Sequence, residues 1–159
     1  KRLVPNHEAP TKMVWGSQNR SAYIRVPEDI RVNPRAARVE LRSPDPSLNP
    51  WLGFAGMLAA GMDGIERDMY VPNPVPENVF KADDEAAQRA MYGNRRERYR
   101  WELPANLGEA IEAFRESDEM RDALGNHMMD ALIREKTLEW KAFNEYVTDF
   151  EVNNYLPKL

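Results

Sequence analysis

Hydrophobic and polar positions change rhythm once along this 159-residue chain. In the first third, short β-prone runs at 12–16, 21–26 and 36–42 read as strands. In the third run Ala37, Val39 and Leu41 alternate with Arg38, Glu40 and Arg42, the period-two pattern of a half-buried strand. The turn-prone Gly16-Ser17-Gln18-Asn19 separates the first two runs, and no hairpin dipeptide fixes how the three pair. From Asn49 the rhythm becomes helical. Asn49 is placed to cap a helix whose first position is Pro50, where a missing N–H costs nothing. That helix, expected over 51–69, holds Gly53, Gly56, Gly61 and Gly64 among alanines. Each interior glycine costs about 1 kcal/mol against alanine, so a buried helix closely approached by other backbone is expected. Three prolines at 71–76 mark a surface connection.

Further along, Asp83 and Asp84 start a short helix reaching Met91, and the charged run at 94–100 reads as an exposed, mobile excursion. Asn106 with Glu109 resembles a capping box for a helix to about Arg115, and Asp118 caps another that stops at Gly125. The longest helix is expected over 127–147, with Met129, Ile133, Trp140, Phe143 and Val147 on one stripe and Leu132 beside it. Thr148 and Glu151 form a second capping box for a final helix that ends before Pro157. Strands first and helices after predict an α+β fold: a few antiparallel strands at the N-terminal end, then a mostly helical body.

Composition narrows the class. With 30% charged residues, 42% hydrophobic residues and four Trp, the chain is neither a disordered tail nor a membrane protein. Its longest mostly apolar run, 51–62, is far short of the roughly 20 residues a bilayer requires. No cysteine is present, which excludes a disulfide scaffold or thiolate metal site and makes a reducing, cytoplasmic setting the expectation. The net charge of −4 is unevenly spread. Residues 1–50 carry nine basic and five acidic side chains, and 51–159 carry thirteen basic and twenty-one acidic. The early excess is mostly arginine, whose planar fork suits carboxylate and phosphate. An anion-handling front end on an acidic helical body follows, and the overall acidity argues against a nucleic-acid partner.

Candidate chemistry gathers in that front end. On a strand, Arg38, Glu40 and Arg42 share one face. A carboxylate between two guanidiniums stays ionised, ready to hold a metal or bridge to an anion. A solvated face whose charges neutralise one another accounts for the same pattern. Arg20 and Arg25, with Arg2 upstream and Arg35 downstream, converge in sequence on this strand, as a site that neutralises a phosphoryl group in transfer would require. In the proline-bracketed loop at 5–10, Glu8 has the makings of a general base and His7 of a ligand or proton shuttle, although an ordinary exposed loop fits as well. His127 decorates a helix start. No phosphate-binding glycine loop, dinucleotide motif, His-Glu-x-x-His or nucleophile elbow occurs.

Taken in order, Lys1-Arg2-Leu3-Val4-Pro5, Glu8-Ala9-Pro10, Asn19-Arg20-Ser21 and Arg38-x-Glu40-x-Arg42-x-Pro44-Asp45 resemble the second part of the glutamine synthetase catalytic domain. The likeness continues through Asn49-Pro50, the Ala-Gly-Met-Asp-Gly helix, Leu124-Gly125-x-His127 and Val147-Thr148-x-Phe150-Glu151. It spans nearly the whole chain and is similar to the C-terminal third of a prokaryotic type I enzyme. Residues 1–45 are then the active-site loop and strands, and 46–159 the mainly helical part. The first residue, Lys1, fits a cut made inside something larger, with the N-terminal β-grasp domain and the front of the catalytic domain absent.

The resemblance implies an ATP-dependent ligase that joins ammonia to L-glutamate through γ-glutamyl phosphate, with Mg²⁺ or Mn²⁺, as a homo-oligomeric ring (a dodecamer). It implies that Arg2 and Arg42 hold glutamate, and that Glu8 on a closing loop helps deprotonate ammonium beside the substrate. It places Arg20 at the transferring phosphoryl group and the glutamate, and assigns Arg20, Arg25 and Arg35 to ATP. Glu40 becomes a metal ligand. Three departures stand out. The closing loop reads Asn6-His7-Glu8 where the family has Gly-Tyr-Glu, and Phe80 takes the position of a tyrosine that is adenylylated in part of the family, so no adenylylation is expected. The segment at 91–101 is longer than usual. Because the front strands are missing, the isolated chain is expected to be inactive. The alternatives are a related γ-glutamyl amide (polyamine) ligase and a non-catalytic glutamine-synthetase-like module; retention of Glu8, Glu40 and Arg20 favours the ammonia ligase.

Overall fold

The computed structural model describes residues 9–27, 33–81, 84–93 and 102–158. The chain divides into two compact units, Lys1–Ala105 and Asn106–Leu159. The α+β reading holds: a small three-stranded sheet precedes a mostly helical body. Among the described residues no helix is long and apolar enough to cross a membrane.

In the first unit, strands β1 (Trp15–Ser17), β2 (Ile24–Val26) and β3 (Glu40–Leu41) lie in that order. All three are shorter than the sequence runs that predicted them. β2 and β3 pair antiparallel, Ile24 against Leu41 and Arg25 against Glu40. β1 and β2 instead pair parallel, Trp15 against Ile24. The return from Ser17 to Ile24 is much tighter than the dozen or so residues a parallel connection usually takes. Gln18 turns the chain there with φ at 56°. Arg38 is not in β3 as expected. Pro34–Ala36 forms a 3-10 turn, its fixed proline φ leading the turn, and shortens the strand from its N-terminal side.

The 71–76 segment is not only a surface connection. Val75 donates its N–H to the Trp15 carbonyl (2.9 Å), and the Trp15 indole donates to the Pro72 carbonyl (2.7 Å). Val75 and Val79 thereby reach the core with Val14, Ala22, Met91 and Tyr92. The last two belong to α2 (Asp84–Tyr92), which carries Asp84 and Glu85 at its positive N-terminal end. Gly16 is obligatory for this packing: a Cβ there would sit 2.6 Å from the Val75 carbonyl oxygen and 2.8 Å from Asn19 Cβ.

Helix α1 (Pro50–Glu66) starts as expected, with Asn49 accepting from the Trp51 and Leu52 N–H groups. Its burial does not follow the expectation. None of its residues is buried, and Trp51, Phe54, Leu58, Met62 and Ile65 form an exposed apolar stripe, Trp51 at 81% exposure. Only the Leu48 side chain approaches Gly53, while Gly61 and Gly64 have open space where a Cβ would be. Glycine content thus misstated the packing of α1 within this chain.

The second unit packs α3 (Leu107–Arg115) and α4 (Asp118–Leu124) against the long α5 (Asn126–Glu145), followed by α6 (Asp149–Tyr155). Asn106 caps α3 through the Glu109 N–H (2.9 Å), but Glu109 answers with a bond from the Asn106 side-chain amide rather than its backbone. Ser117, not Asp118, caps α4, accepting from the Met120 N–H. Its hydroxyl lies one residue earlier, where a cap reaches the first turn. Gly125, with φ at 77°, ends α4 and opens α5 in one residue. On α5 only Met129 is buried. Phe143 stacks on Trp140 with ring centres 5.8 Å apart, and Val147 lies past the helix end and exposed. The Thr148–Glu151 capping box forms in both directions, and α6 ends before Pro157. The 94–100 excursion lies outside the described residues.

Met129 has no exposed surface, so Met129→Ala is expected to destabilise the second unit by about 2–5 kcal/mol, read as a lowered denaturation midpoint. Glu151 supplies a pH-dependent prediction. The Thr148 backbone N–H first, and then its hydroxyl, hold the Glu151 carboxyl below the usual carboxylate range. The contribution is therefore complete above the ordinary value of about 4.3 and is lost as pH falls through the lower folded value. Amide shifts of Thr148 and Glu151 should report this loss on acidification, and Glu151→Gln should shrink it.

Candidate functional site

The site grows out of the β2–β3 register. Arg25 and Glu40 are opposite one another on antiparallel strands, which puts their side chains on one face. Arg25 Nη1 donates to Glu40 Oε2 at 3.0 Å. Arg42, next after β3, brings its Nε to 3.4 Å from Glu40 Oε1. Glu40 is thus gripped by two guanidiniums, one on each carboxylate oxygen. The expected grouping had the right chemistry and one wrong member. Arg38 points elsewhere, donating to its neighbour carbonyl Ala36 O at 3.4 Å, while Arg25 reaches Glu40 from across the ladder.

Arg42 has a second task. Its Nη1 donates to the carbonyls of Arg20 and, at 3.2 Å, of Ala22. One side chain therefore ties Glu40 to the turn that carries Arg20. Arg20 itself is exposed. Its guanidinium has no hydrogen-bond or ion-pair partner among the described residues. Arg25 is more enclosed, 22% exposed, and its Nε is buried with no acceptor among the described residues. Leaving such a donor unpaired costs about 1–3 kcal/mol, a cost that an added acceptor would remove. Arg35 lies in the Pro34–Ala36 turn and is exposed, away from the Arg25–Glu40–Arg42 cluster in the ladder. Arg2, His7 and Glu8 fall outside the described residues. Sequence reasoning used Asn19 and Ser21 only as part of the Asn19-Arg20-Ser21 motif and missed that they enter a partly buried hydrogen-bond network. The signal available was an Asn and a Ser in a turn, the residue types that bond to nearby backbone.

A hard divalent cation takes about six oxygen ligands. The described residues hold no group of three or more His, Asp or Glu side chains that could bind one. Glu40 supplies a single carboxylate already shared by two arginines. The metal site expected at Glu40 is thus not built by these residues alone.

A small mixed sheet presents arginines around one carboxylate, and a mainly helical unit follows it in the chain. Residues 1–155 match the profile of the glutamine synthetase catalytic domain, and the chain belongs to that family. It is 41% identical over 156 residues to glutamine synthetase of Methanocaldococcus jannaschii, covering 98% of this chain and 32% of that protein. The Thermotoga maritima glutamine synthetase is 43% identical over 157 residues, with 98% and 33% covered. The chain thus spans about a third of the length of the curated relatives it matches. Among solved structures, a GmaS/ADP complex superposes with a TM-score of 0.75 at 27% identity, over 94% of this chain and 30% of that one. The Plasmodium falciparum glutamine synthetase shares the fold, with a TM-score of 0.70 at 23% identity, over 97% of this chain and 36% of that one.

The two candidate arginines separate cleanly by experiment. Arg42→Lys keeps the charge but cannot span Glu40 and two carbonyls, and is expected to destabilise the first unit by about 1–2 kcal/mol. Arg38→Lys is expected to stay within about 0.5 kcal/mol. Chemical denaturation followed by sheet-localised hydrogen exchange reads both.

Proposed function

We propose that this chain forms the back part of the catalytic domain of an ATP-dependent ligase that makes L-glutamine from L-glutamate and ammonia through γ-glutamyl phosphate. The observation that carries the reading is Glu40 held between Arg25 and Arg42, with Arg42 also bound to the carbonyl of Arg20, whose guanidinium has no partner among the described residues, in a chain of this family. Transfer of a phosphoryl group needs positive charge fixed where negative charge collects. Arg20 serves the transferring phosphoryl group and the glutamate. Arg25, whose Nε lacks an acceptor, serves ATP phosphates with Arg35. Arg2 and Arg42 hold the glutamate carboxylate, and Glu8 on the closing loop takes the proton from ammonium. Glu40 contributes one oxygen ligand to Mg²⁺ or Mn²⁺, and the other ligands come from beyond the described residues. The complete enzyme is a cytoplasmic homo-oligomeric ring of the kind the family forms, with no nucleic-acid or membrane partner.

The family's relatives are about three times as long as this chain, so the 159-residue polypeptide by itself is expected to form no glutamine. The test compares it with an intact enzyme that carries the same sequence, assayed for ADP release and product with glutamate plus ammonium or putrescine. Ammonium-dependent glutamine formation by the intact enzyme, cut about 10²-fold or more in Arg20→Ala, supports the reading. A preference for putrescine would move it to an amine ligase, and turnover by the isolated chain would overturn the division of labour.

A further inference from the structure

Arg20 combines a held backbone with an exposed side chain, and two neighbours outside the expected site account for the holding. Asn19 Nδ2 donates to the carbonyls of Val75 (2.7 Å) and Glu77 (2.9 Å). Asn19 Oδ1 accepts from the Ser21 N–H (2.9 Å) and hydroxyl (2.6 Å). The Ser21 hydroxyl in turn accepts from the Val79 N–H (2.9 Å). Both donors of the Asn19 amide are used and its oxygen accepts twice, which fixes its orientation and leaves little freedom. Ser21 is buried, at 8% exposure, and its bond from the Val79 N–H is buried with it, which makes that end of the network stiff and costly to break. The tight parallel return between β1 and β2 is thereby stitched to 75–79 on both sides of Arg20. Arg42 pins the Arg20 carbonyl from the opposite direction.

We infer that Asn19 and Ser21 are positioning residues for Arg20: they immobilise its backbone against the 75–79 segment, so that only its side-chain torsions are left to be ordered when its guanidinium meets the transferring phosphoryl group. The inference deepens the ligase reading and rests on it for the role of Arg20. Its physical basis is that a group preset in place adds to transition-state stabilisation with no reorganisation at the moment of reaction. A displacement of about 1 Å in such a group is enough to cost on the order of 10²-fold. A purely structural role for the network would lower stability and leave turnover per folded enzyme unchanged.

The experiment uses Asn19→Ala, Ser21→Ala and Ser21→Thr in the intact enzyme that carries this chain, with hydrogen exchange, thermal unfolding and steady-state kinetics on each. Both alanine variants are expected to speed amide exchange at 20–22 and at Val79 by about tenfold or more, with α5 amides unchanged as an internal reference. They are expected to lower kcat by about tenfold or more, and Ser21→Thr, which keeps the hydroxyl, should recover most of the loss. Faster exchange with unchanged kcat would overturn the positioning role. Unchanged exchange would overturn the tether itself. If the unsubstituted enzyme makes no glutamine, the ligase reading fails together with the catalytic half of this inference, and the exchange data still decide the tether.

Discussion

The first unit depends on one carboxylate being shared by two guanidiniums. Without Glu40, Arg25 and Arg42 would set like charges on neighbouring strands of a sheet with only two residue pairs in that ladder. With it, the charges lock the register that they themselves occupy. Arg42 carries the constraint further by gripping the Arg20 and Ala22 carbonyls, so the same ion cluster sets where the adjacent turn runs. Pairs exposed to water are worth little; here the arginines are about one-fifth exposed and Glu40 is 42% exposed, so the cluster's hold on the turn comes as much from the Arg42 bonds to the Arg20 and Ala22 carbonyls.

Much of the helical body was legible because helix ends obey local rules. Asn49, Asn106, Gly125 and the Thr148–Glu151 box act over three or four residues, so neighbours in sequence contain the whole interaction. Ser117 displaced Asp118 for an equally local reason, being one position better placed for the first-turn N–H groups. What the sequence could not disclose was anything set by register. Arg38 and Arg42 share a periodic face with Glu40, yet the partner that matters, Arg25, lies across the ladder, and no turn motif announced that pairing. The parallel β1–β2 pair was hidden too, because its short return depends on side-chain bonds to a segment more than fifty residues away.

The misjudged α1 has a related cause. Glycines and alanines in a helix speak of close approach but do not name what approaches. Among the described residues the Leu48 side chain approaches Gly53 and nothing approaches Gly61 or Gly64, while Trp51, Phe54, Leu58, Met62 and Ile65 are exposed. Chain length makes that arrangement intelligible: relatives of this family carry roughly two further parts for each part present here.

Gly125 shows how little slack the second unit has. It ends one helix and begins the next with a single residue at φ 77°. The direction of α5 relative to α4 is therefore set by one left-handed backbone conformation rather than by a loop. A side chain there would strain both helices at once, and an inserted residue would rotate every α5 side chain by about 100° around the helix axis. Met129, four residues on, would leave its buried place first. Length variation at this junction is thus barred by helical geometry itself, which makes the junction a rigid ruler between the two helices.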